Sequence, residues 1–131
     1  MRIISGIHKG RRIIAPKNLP VRPTTDRAKE SLFNILENKY ILEEKKILDL
    51  FCGTGNISFE FSSRYKSEIT AVDINKKCIR FVEKINKELN LNIKTVLQDC
   101  FKFIKKNKNN YDVVFLDPPY DYNKYYEMKD L

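Results

Sequence analysis

Short apolar runs alternate with segments of helical periodicity from residue 46 onwards. Four runs of β-type residues predict strands, at 47–51, 69–72, 93–97 and 111–116. The longest helix between them begins after Asn75, and its apolar positions share one face: Cys78, Val82, Ile85 and Leu89. Strands that alternate with helices at this spacing predict right-handed βαβ units and therefore a parallel α/β sheet.

The first 23 residues predict a separate element. Two short β-type runs, 2–4 and 12–14, flank a loop that contains Gly6 and Gly10, and this pattern is typical of a β-hairpin. The prolines of residues 16–23 predict an extended connector. We therefore divide the chain into a hairpin with its connector, residues 1–23, and an α/β domain, residues 24–131.

Capping residues predict where two further helices begin. Thr24, Thr25 and Asp26 precede a helix whose apolar face would contain four residues: Ala28, Leu32, Ile35 and Leu36. Asn56 follows the first strand and is predicted to cap a helix that ends near Arg64. The first of these helices would connect the hairpin to the sheet.

The positive charge is concentrated at the N-terminus. The chain of 131 residues has a net charge of +8, and its first 30 residues supply +6, from eight Lys and Arg against two carboxylates. A basic head on a nearly neutral body favours a polyanionic partner, most simply nucleic acid. A Lys-rich solvated surface is the alternative, and it explains the lysines of residues 105–108 better than the head. The candidate RNA contacts are Arg2, Lys9, Arg11, Arg12 and Arg22.

The remaining composition narrows the class of protein. No apolar run approaches the length of a membrane span, and the N-terminus lacks the apolar region of a signal peptide. Three widely spaced cysteines and a single histidine do not form a metal-binding pattern, so no metal is expected. These features predict a cytoplasmic domain with reduced thiols.

Acidic residues follow or end the predicted strands, where open α/β sheets bind their ligands. After the first strand comes an Asp49-x-x-x-Gly53-x-Gly55 turn, whose glycines allow close approach to a ligand beside an electropositive helix N-terminus. Asp73 ends the second strand at the spacing of an acidic residue that binds a ribose diol, and Asp99 follows the third. A dinucleotide site is the rival interpretation, but Ser58 stands where its third glycine would be.

The fourth strand ends in a rigid corner, Asp117-Pro118-Pro119-Tyr120. Prolines donate no backbone N–H, so the chain leaves the sheet here with its acceptors fixed in direction. A carboxylate, a fixed carbonyl and an aromatic face suit the binding of a planar amine, which makes Asp117, Pro118 and Tyr120 the candidate catalytic residues. The simpler interpretation is a strand-ending aspartate before a Pro-Pro turn.

In this order, the motifs LDLFCGTG, AVDIN, LQDC and DPPY resemble class I S-adenosylmethionine-dependent methyltransferases that modify exocyclic amines. The segments RIISGIHKGRRI and RPTTDRAKESLFN narrow the resemblance to the RsmD family, which methylates N2 of a guanine, guanine 966, in 16S rRNA. The resemblance covers essentially the whole chain. It implies a Rossmann-like sheet of parallel strands in the order 3-2-1-4, with helices on both faces. The basic hairpin precedes this sheet in the sequence.

The resemblance also implies the site residues and the partners. S-adenosylmethionine is the implied cofactor, with Gly53 and Gly55 at its methionine portion and Asp73 at its ribose. Asp99 and the Cys100 backbone would lie at the adenine. The full set of implied cofactor residues is Thr25, Arg27, Asp49, Gly53, Gly55, Asp73, Asp99 and Cys100. The implied partner is 16S rRNA or an assembly particle of the small ribosomal subunit, with no membrane.

Two questions stay open at this point. The family fold has seven strands and this sequence supplies the first four, so the C-terminal strands are expected to be missing. The apolar strand at 111–116 would then form a sheet edge that further strands or another chain cover. An adenine-N6 DNA methyltransferase, a protein-glutamine methyltransferase and a catalytically silent RNA-binding relative are the alternative functions.

Overall fold

A computed structural model describes residues 1–19, 24–119, 121–124 and 127 of the protein. The elements within these ranges are α1 (Asp26–Lys39), β1 (Lys46–Leu50), α2 (Asn56–Arg64), β2 (Glu68–Asp73), α3 (Lys76–Leu89), β3 (Ile93–Leu97), α4 (Cys100–Lys106) and β4 (Val113–Leu116). All strand pairs are parallel, and the order in the sheet is β3-β2-β1-β4. The predicted α/β fold and strand order are confirmed.

Helices cover both faces of the sheet. Along β1 and β2, alternate side chains enter two apolar clusters, as the period of two along a strand requires. Ile47 and Ile69 pack with residues of α1, α2 and α3 on one face. Leu48 and Val72 pack on the other face with Cys100, the first residue of α4. The burial of both faces explains why these strands read as continuous apolar runs.

Backbone hydrogen bonds close the N-terminal hairpin around one antiparallel bridge, between Arg2 and Arg12. Ile3 N donates to Arg11 O at 2.9 Å. Ile3 and Ile13 are both buried and belong to the same apolar cluster as α1 to α3. The hairpin is therefore anchored on the body of the protein. Residues 20–23 of the connector lie outside the described ranges, and the boundary at residue 23 stays a prediction.

The predicted apolar face of α1 is only half right, because Leu32 and Leu36 are partly buried against the apolar cluster but the other two positions are not. Thr25 caps this helix as expected, because its Oγ1 accepts from Ala28 N at 3.2 Å. The buried residues of the helix, however, are Lys29 and Phe33, whereas Ala28 and Ile35 are exposed. The ammonium group of Lys29 pairs with the carboxylate of Glu60, so the face turned towards α2 contains a lysine that apolar periodicity cannot identify.

The other predicted elements need smaller corrections. The buried face of α3 is confirmed, and Asn75 caps that helix by accepting from Cys78 N at 3.0 Å. The fourth strand was predicted at 111–116 but spans Val113–Leu116 and lies at the edge of the described sheet. Because this edge strand has only β1 beside it, the side chain of Val114 stays half exposed.

Candidate active site

The register of the sheet brings two of the predicted carboxylates to one edge. Leu50, the last residue of β1, lies opposite Val72 on one side and Leu116 on the other. Asp73 and Asp117 are the residues that follow those two partners. They therefore flank the first residue of the β1–α2 turn at the carboxyl edge of the sheet, as predicted.

The β1–α2 turn is built from left-handed backbone. Phe51 has φ 56°, Gly53 has φ 55° and Gly55 has φ 84°. Asp73 fixes this turn, because its Oδ2 accepts from Gly53 N at 2.9 Å while its Oδ1 accepts from Asn75 N at 2.8 Å. Each carboxylate oxygen retains a further lone pair, so Asp73 has acceptor capacity left for the hydroxyls of a ligand.

Gly55 has a packing reason to be glycine. A Cβ at this position would lie 2.9 Å from both Phe59 Cζ and Val82 Cγ2. The space above Gly55 is therefore filled by α2 and α3, and a larger residue would separate these helices.

Asp49 is a buried carboxylate beneath this turn. Its Oδ2 accepts from Ser58 Oγ at 2.6 Å, and its side chain is 1% exposed. The pKa of Asp49 is raised from 3.8 to about 7, chiefly by burial, with the negative charges of Asp73 and Asp117 adding to the effect and the Ser58 hydrogen bond opposing it. Asp49, Asp73 and Asp117 therefore share one electrostatic environment.

We expect the stability of the ligand-free protein to fall as the pH rises from 4 towards 7. Between these values the folded protein keeps a proton on Asp49 that the unfolded chain releases, so deprotonation opposes folding by up to about 1.4 kcal/mol per pH unit. Asp49→Asn should flatten this dependence, because the amide cannot ionise. Urea unfolding of both proteins at pH 5, 6, 7 and 8 measures the difference, and parallel curves would contradict the prediction.

Asp99 and Cys100 lie beside Asp73 at the end of β3. Asp99 caps α4 by accepting from Lys102 N at 3.0 Å, and Gln98 N donates to Asp73 O at 3.0 Å. The Cys100 thiol contacts the turn itself, since Phe51 N donates to its Sγ at 3.3 Å. Burial is the main cause that raises the pKa of Cys100 to about 12. This thiol therefore stays protonated and supports the turn.

The rigid corner is described as far as Pro119. Asp117 is exposed at the end of β4, and Tyr120 lies outside the described residues, so its ring is not placed.

Sequence reasoning missed two side chains near the ends of the strands. Tyr122 packs edge-on against Phe51 with ring centroids 4.9 Å apart, and Ile74 is 68% exposed directly after Asp73. In the sequence, an isoleucine directly after the strand-ending Asp73 is the signal that could have identified the second of these.

Asn56 does not cap α2, contrary to prediction. Gly55 occupies the capping position, and Asn56 lies inside the helix with its side chain turned towards α1. Its Nδ2 donates to Thr24 O at 2.8 Å, and its Oδ1 accepts from Lys29 Nζ at 2.7 Å. The residue that follows the glycine turn therefore holds the Thr24–Thr25 segment in place. Arg27, another predicted cofactor residue, is exposed on the first turn of α1.

Lys29 and Glu60 form a buried ion pair that sequence reasoning also missed. Lys29 Nζ lies 3.1 Å from Glu60 Oε1, and both side chains are 0% exposed. Burial lowers the pKa of Lys29, and Glu60 opposes this shift. Glu60 also accepts from Ile4 N at 2.9 Å and Ser5 N at 3.1 Å. A glutamate between two phenylalanines, in the segment ISFEF, is the signal that could have indicated a buried charge.

The predicted basic residues divide into two groups. Arg2 and Arg12 line a cavity of about 800 Å³ together with Lys17, Asp26 and Thr54 of the glycine turn. Lys9 and Arg11 are exposed on the hairpin loop, and Arg22 lies outside the described residues. The first group therefore reaches from the hairpin to the turn that follows β1.

The described residues contain neither a metal-binding cluster nor a membrane-spanning helix. No group of three or more His, Cys, Asp or Glu side chains in that part of the chain is arranged to hold a metal ion. No helix there is long and apolar enough to cross a membrane.

A parallel sheet in the order 3-2-1-4, with a glycine turn after β1 and an acidic residue ending β2, defines the fold of the class I methyltransferases, whose cofactor is S-adenosylmethionine. An S-adenosylmethionine-dependent methyltransferase from Agrobacterium tumefaciens matches 70% of this chain and 30% of its own, with TM-score 0.57 and 29% identity. A family model described as conserved hypothetical protein 95 matches residues 1–130. The chain belongs to this family, the RsmD family.

Individual relatives agree with this assignment. The chain is 40% identical to the ribosomal RNA small subunit methyltransferase D of Buchnera aphidicola subsp. Baizongia pistaciae. The matched 123 residues cover 92% of this chain and 61% of the relative. The solved structure of yhhF from Escherichia coli, a predicted methyltransferase, matches 98% of this chain and 69% of its own at TM-score 0.87 and 31% identity. The chain spans about three-fifths of the length of the curated relatives it matches.

Proposed function

We propose that the protein transfers a methyl group from S-adenosylmethionine to the exocyclic N2 amine of a guanine in 16S rRNA, with guanine 966 as the candidate nucleotide. Membership of the RsmD family supports the reaction class. The observation that carries the proposal is the position of Asp117, which lies at the carboxyl edge of the sheet beside the glycine turn. A carboxylate there has the chemistry to hold an amine against the cofactor.

The charge of the site fits this cofactor. Asp49, Asp73, Asp99 and Asp117 all lie at the carboxyl ends of the strands, and Asn56 takes the position of a phosphate-binding lysine. Such a site disfavours the phosphates of a nucleotide and favours a positively charged ligand. S-adenosylmethionine carries a cationic sulfonium and, when bound, supplies the electrophilic methyl group.

Each part of the cofactor has a candidate contact in this site. The free lone pairs of Asp73 would accept from the ribose hydroxyls, and the Gly53 backbone would lie against the methionine portion. The exposed side chain of Ile74 offers apolar surface to the adenine ring, beside Asp99 and the backbone of Cys100. Thr25 and Arg27, at the start of α1, would enclose the cofactor from the opposite side.

The amine requires orientation more than activation. The N2 lone pair of guanine is delocalised into the ring, and Asp117 together with the Pro118 carbonyl would accept its two N–H bonds and direct that lone pair at the methyl group. Orientation of this kind lowers a barrier by up to roughly 7–11 kcal/mol. The Asp117 carboxylate would also stabilise the positive charge that develops on nitrogen. Tyr120 is proposed to stack on the unstacked base.

The RNA would approach across the basic hairpin. Arg2, Arg12 and Lys17 line the cavity that reaches Thr54, and Lys9 and Arg11 extend the positive surface. Phosphates held along this path would bring a flanking nucleotide to the carboxyl edge of the sheet. This arrangement supports structured RNA over DNA or protein as the substrate.

The test is methyl transfer from labelled S-adenosylmethionine to unmethylated 16S rRNA and to small-subunit particles, followed by mapping of the modified nucleotide. We expect label in N2-methylguanine at one position. Label in DNA adenine or in a protein glutamine, with none in RNA, would replace the proposal with one of the alternative substrates. RNA binding without any binding of S-adenosylmethionine in a calorimetric titration would identify a silent relative.

Charge reversal in the hairpin, by Lys9→Glu, Arg11→Glu and Arg12→Glu together, should weaken RNA binding and reduce its salt dependence. For every phosphate that the protein no longer neutralises, the slope of log K against log salt concentration should decrease in magnitude by about 0.7–0.9. The affinity for S-adenosylmethionine should not change. The matched control reverses Lys105, Lys106 and Lys108 instead, and it should leave the slope nearly as it is. If the two triple variants reduced the salt dependence equally, the contribution of the hairpin to RNA binding would be one of general positive charge and not of specific phosphate contacts.

A further inference from the structure

One helix, α2, contacts both candidate binding regions. Its first residue, Asn56, directly follows the glycine turn proposed to hold the cofactor. Further along the same helix, Ser63 O accepts from Ile7 N at 2.9 Å and Ser63 Oγ accepts from His8 N at 3.0 Å. Glu60, between them, accepts from the backbone of Ile4. The helix therefore supports the proposed cofactor turn at its start and the basic hairpin along its side.

Lys29 joins these two regions from the neighbouring helix. Its Nζ donates to Arg2 O in the hairpin at 2.6 Å and to Asn56 Oδ1 at 2.7 Å, and it pairs with Glu60 Oε1 at 3.1 Å. These contacts use all three donors of the ammonium group. Through Asn56, the same network reaches Thr24 O at 2.8 Å. One fully buried group thus links the hairpin, the start of α2 and the segment before α1.

We propose that Lys29 is a positioning residue that makes RNA binding and cofactor binding interdependent, an inference that rests on the proposed function. Bound RNA would restrict the motion of the hairpin and therefore of Arg2 O. Because Lys29 Nζ donates to both Arg2 O and Asn56 Oδ1, it would also restrict Asn56 beside the glycine turn. Cofactor that orders the turn restrains the hairpin by the same contacts. Coupling between two binding sites is reciprocal, so each ligand raises the affinity of the other by the same factor.

The geometry favours coupling over a purely structural role for Lys29. A buried charge removed from its partners is costly, so the hairpin cannot move away from α2 without breaking contacts of the ammonium group. The start of α2 has no capping side chain, because Gly55 occupies that position, and the adjoining Asn56 Oδ1 accepts from Lys29 Nζ at 2.7 Å. Order in the hairpin and order in the turn therefore depend on one another through Lys29 and Asn56.

The experiment measures the affinity for S-adenosylhomocysteine with and without a saturating 16S rRNA transcript. In the unaltered protein we expect RNA to raise this affinity by roughly 5–150-fold, the usual range of coupling. In Lys29→Met the ratio should fall close to one, and Lys29→Arg should restore part of it. In Lys29→Met, Glu60 keeps its ion pair with Arg64 Nε at 2.6 Å. The double variant Lys29→Met/Glu60→Gln removes that charge as well, leaves Arg64 paired with Glu37, and is measured where Lys29→Met alone does not fold. Lys39→Met, at the exposed end of the same helix, is the matched control.

The outcomes separate this inference from the proposed function. A folded Lys29→Met or double variant that keeps the full ratio would overturn the inference, since Lys29 would then be structural only. A ratio of one in the unaltered protein, with both ligands binding, would overturn it as well and leave the methyltransferase proposal intact. Failure of the unaltered protein to bind S-adenosylhomocysteine at all would instead reject the proposed function and, with it, the inference.

Discussion

Replacement of Asp117 by alanine is expected to lower the rate of methyl transfer by roughly 10²–10³-fold, the usual cost of removing one preorganised group that stabilises developing charge. The carboxylate is exposed at the end of β4 and forms no hydrogen bond with another described residue that the fold would lose. Its loss should therefore act on the reaction and leave stability nearly unchanged. Single-turnover kinetics with bound RNA and S-adenosylmethionine measure the effect directly.

A second variant tests whether the loss of rate in Asp117→Ala comes from orientation of the amine and not from weaker binding of the cofactor. Asp73→Ala should weaken the binding of S-adenosylmethionine, because Asp73 holds Gly53 N and is the proposed ribose contact. Asp117→Ala should leave that affinity within a few-fold of the original. Asp117→Asn, which keeps an acceptor without the charge, should fall between the unaltered protein and Asp117→Ala. Near-normal turnover in Asp117→Ala would reject the proposed mechanism.

The sheet was predictable because its signals are local. Four apolar runs indicated the strands, and the α/β alternation indicated their parallel direction. Their order, 3-2-1-4, came from the family resemblance. The buried face of α3 was predictable for the same local reason, since each of its four expected positions is apolar and buried. Asp73 and Asp117 could be assigned to one edge of the sheet because parallel strands place their carboxyl ends together.

The contacts between the hairpin and α2 could not be predicted in this way. They depend on Lys29, Asn56 and Glu60, polar residues that periodicity assigns to the surface or to a cap. Burial of Lys29 is favourable only because Glu60 comes from a segment 31 positions away, and that pairing is a tertiary property. Asn56 has the sequence context of a helix cap, but its amide is used by Thr24 O and Lys29 instead.

Gly6→Ala is expected to detach the basic hairpin from α2. Gly6 has φ 92°, and a Cβ there would lie 1.9 Å from Ser63 O, an acceptor that is part of the helix backbone. Neither the hairpin backbone nor the α2 backbone can move apart here without losing the hydrogen bond from Ile7 N to the same oxygen. Strain and overpacking together should cost about 2–5 kcal/mol of the free energy of unfolding. Urea unfolding measures this loss, and RNA binding should weaken with it.

Gly10→Ala is the matched control for this prediction. Gly10 lies in the same hairpin at φ 85°, but a Cβ there would meet no atom within 4 Å. The substitution therefore introduces only the backbone strain of a left-handed residue, about 1–2 kcal/mol. The difference between the two variants isolates the contact with Ser63, because loop, charge and backbone conformation are shared. Equal losses of stability and RNA affinity would show that the hairpin does not depend on its close approach to α2.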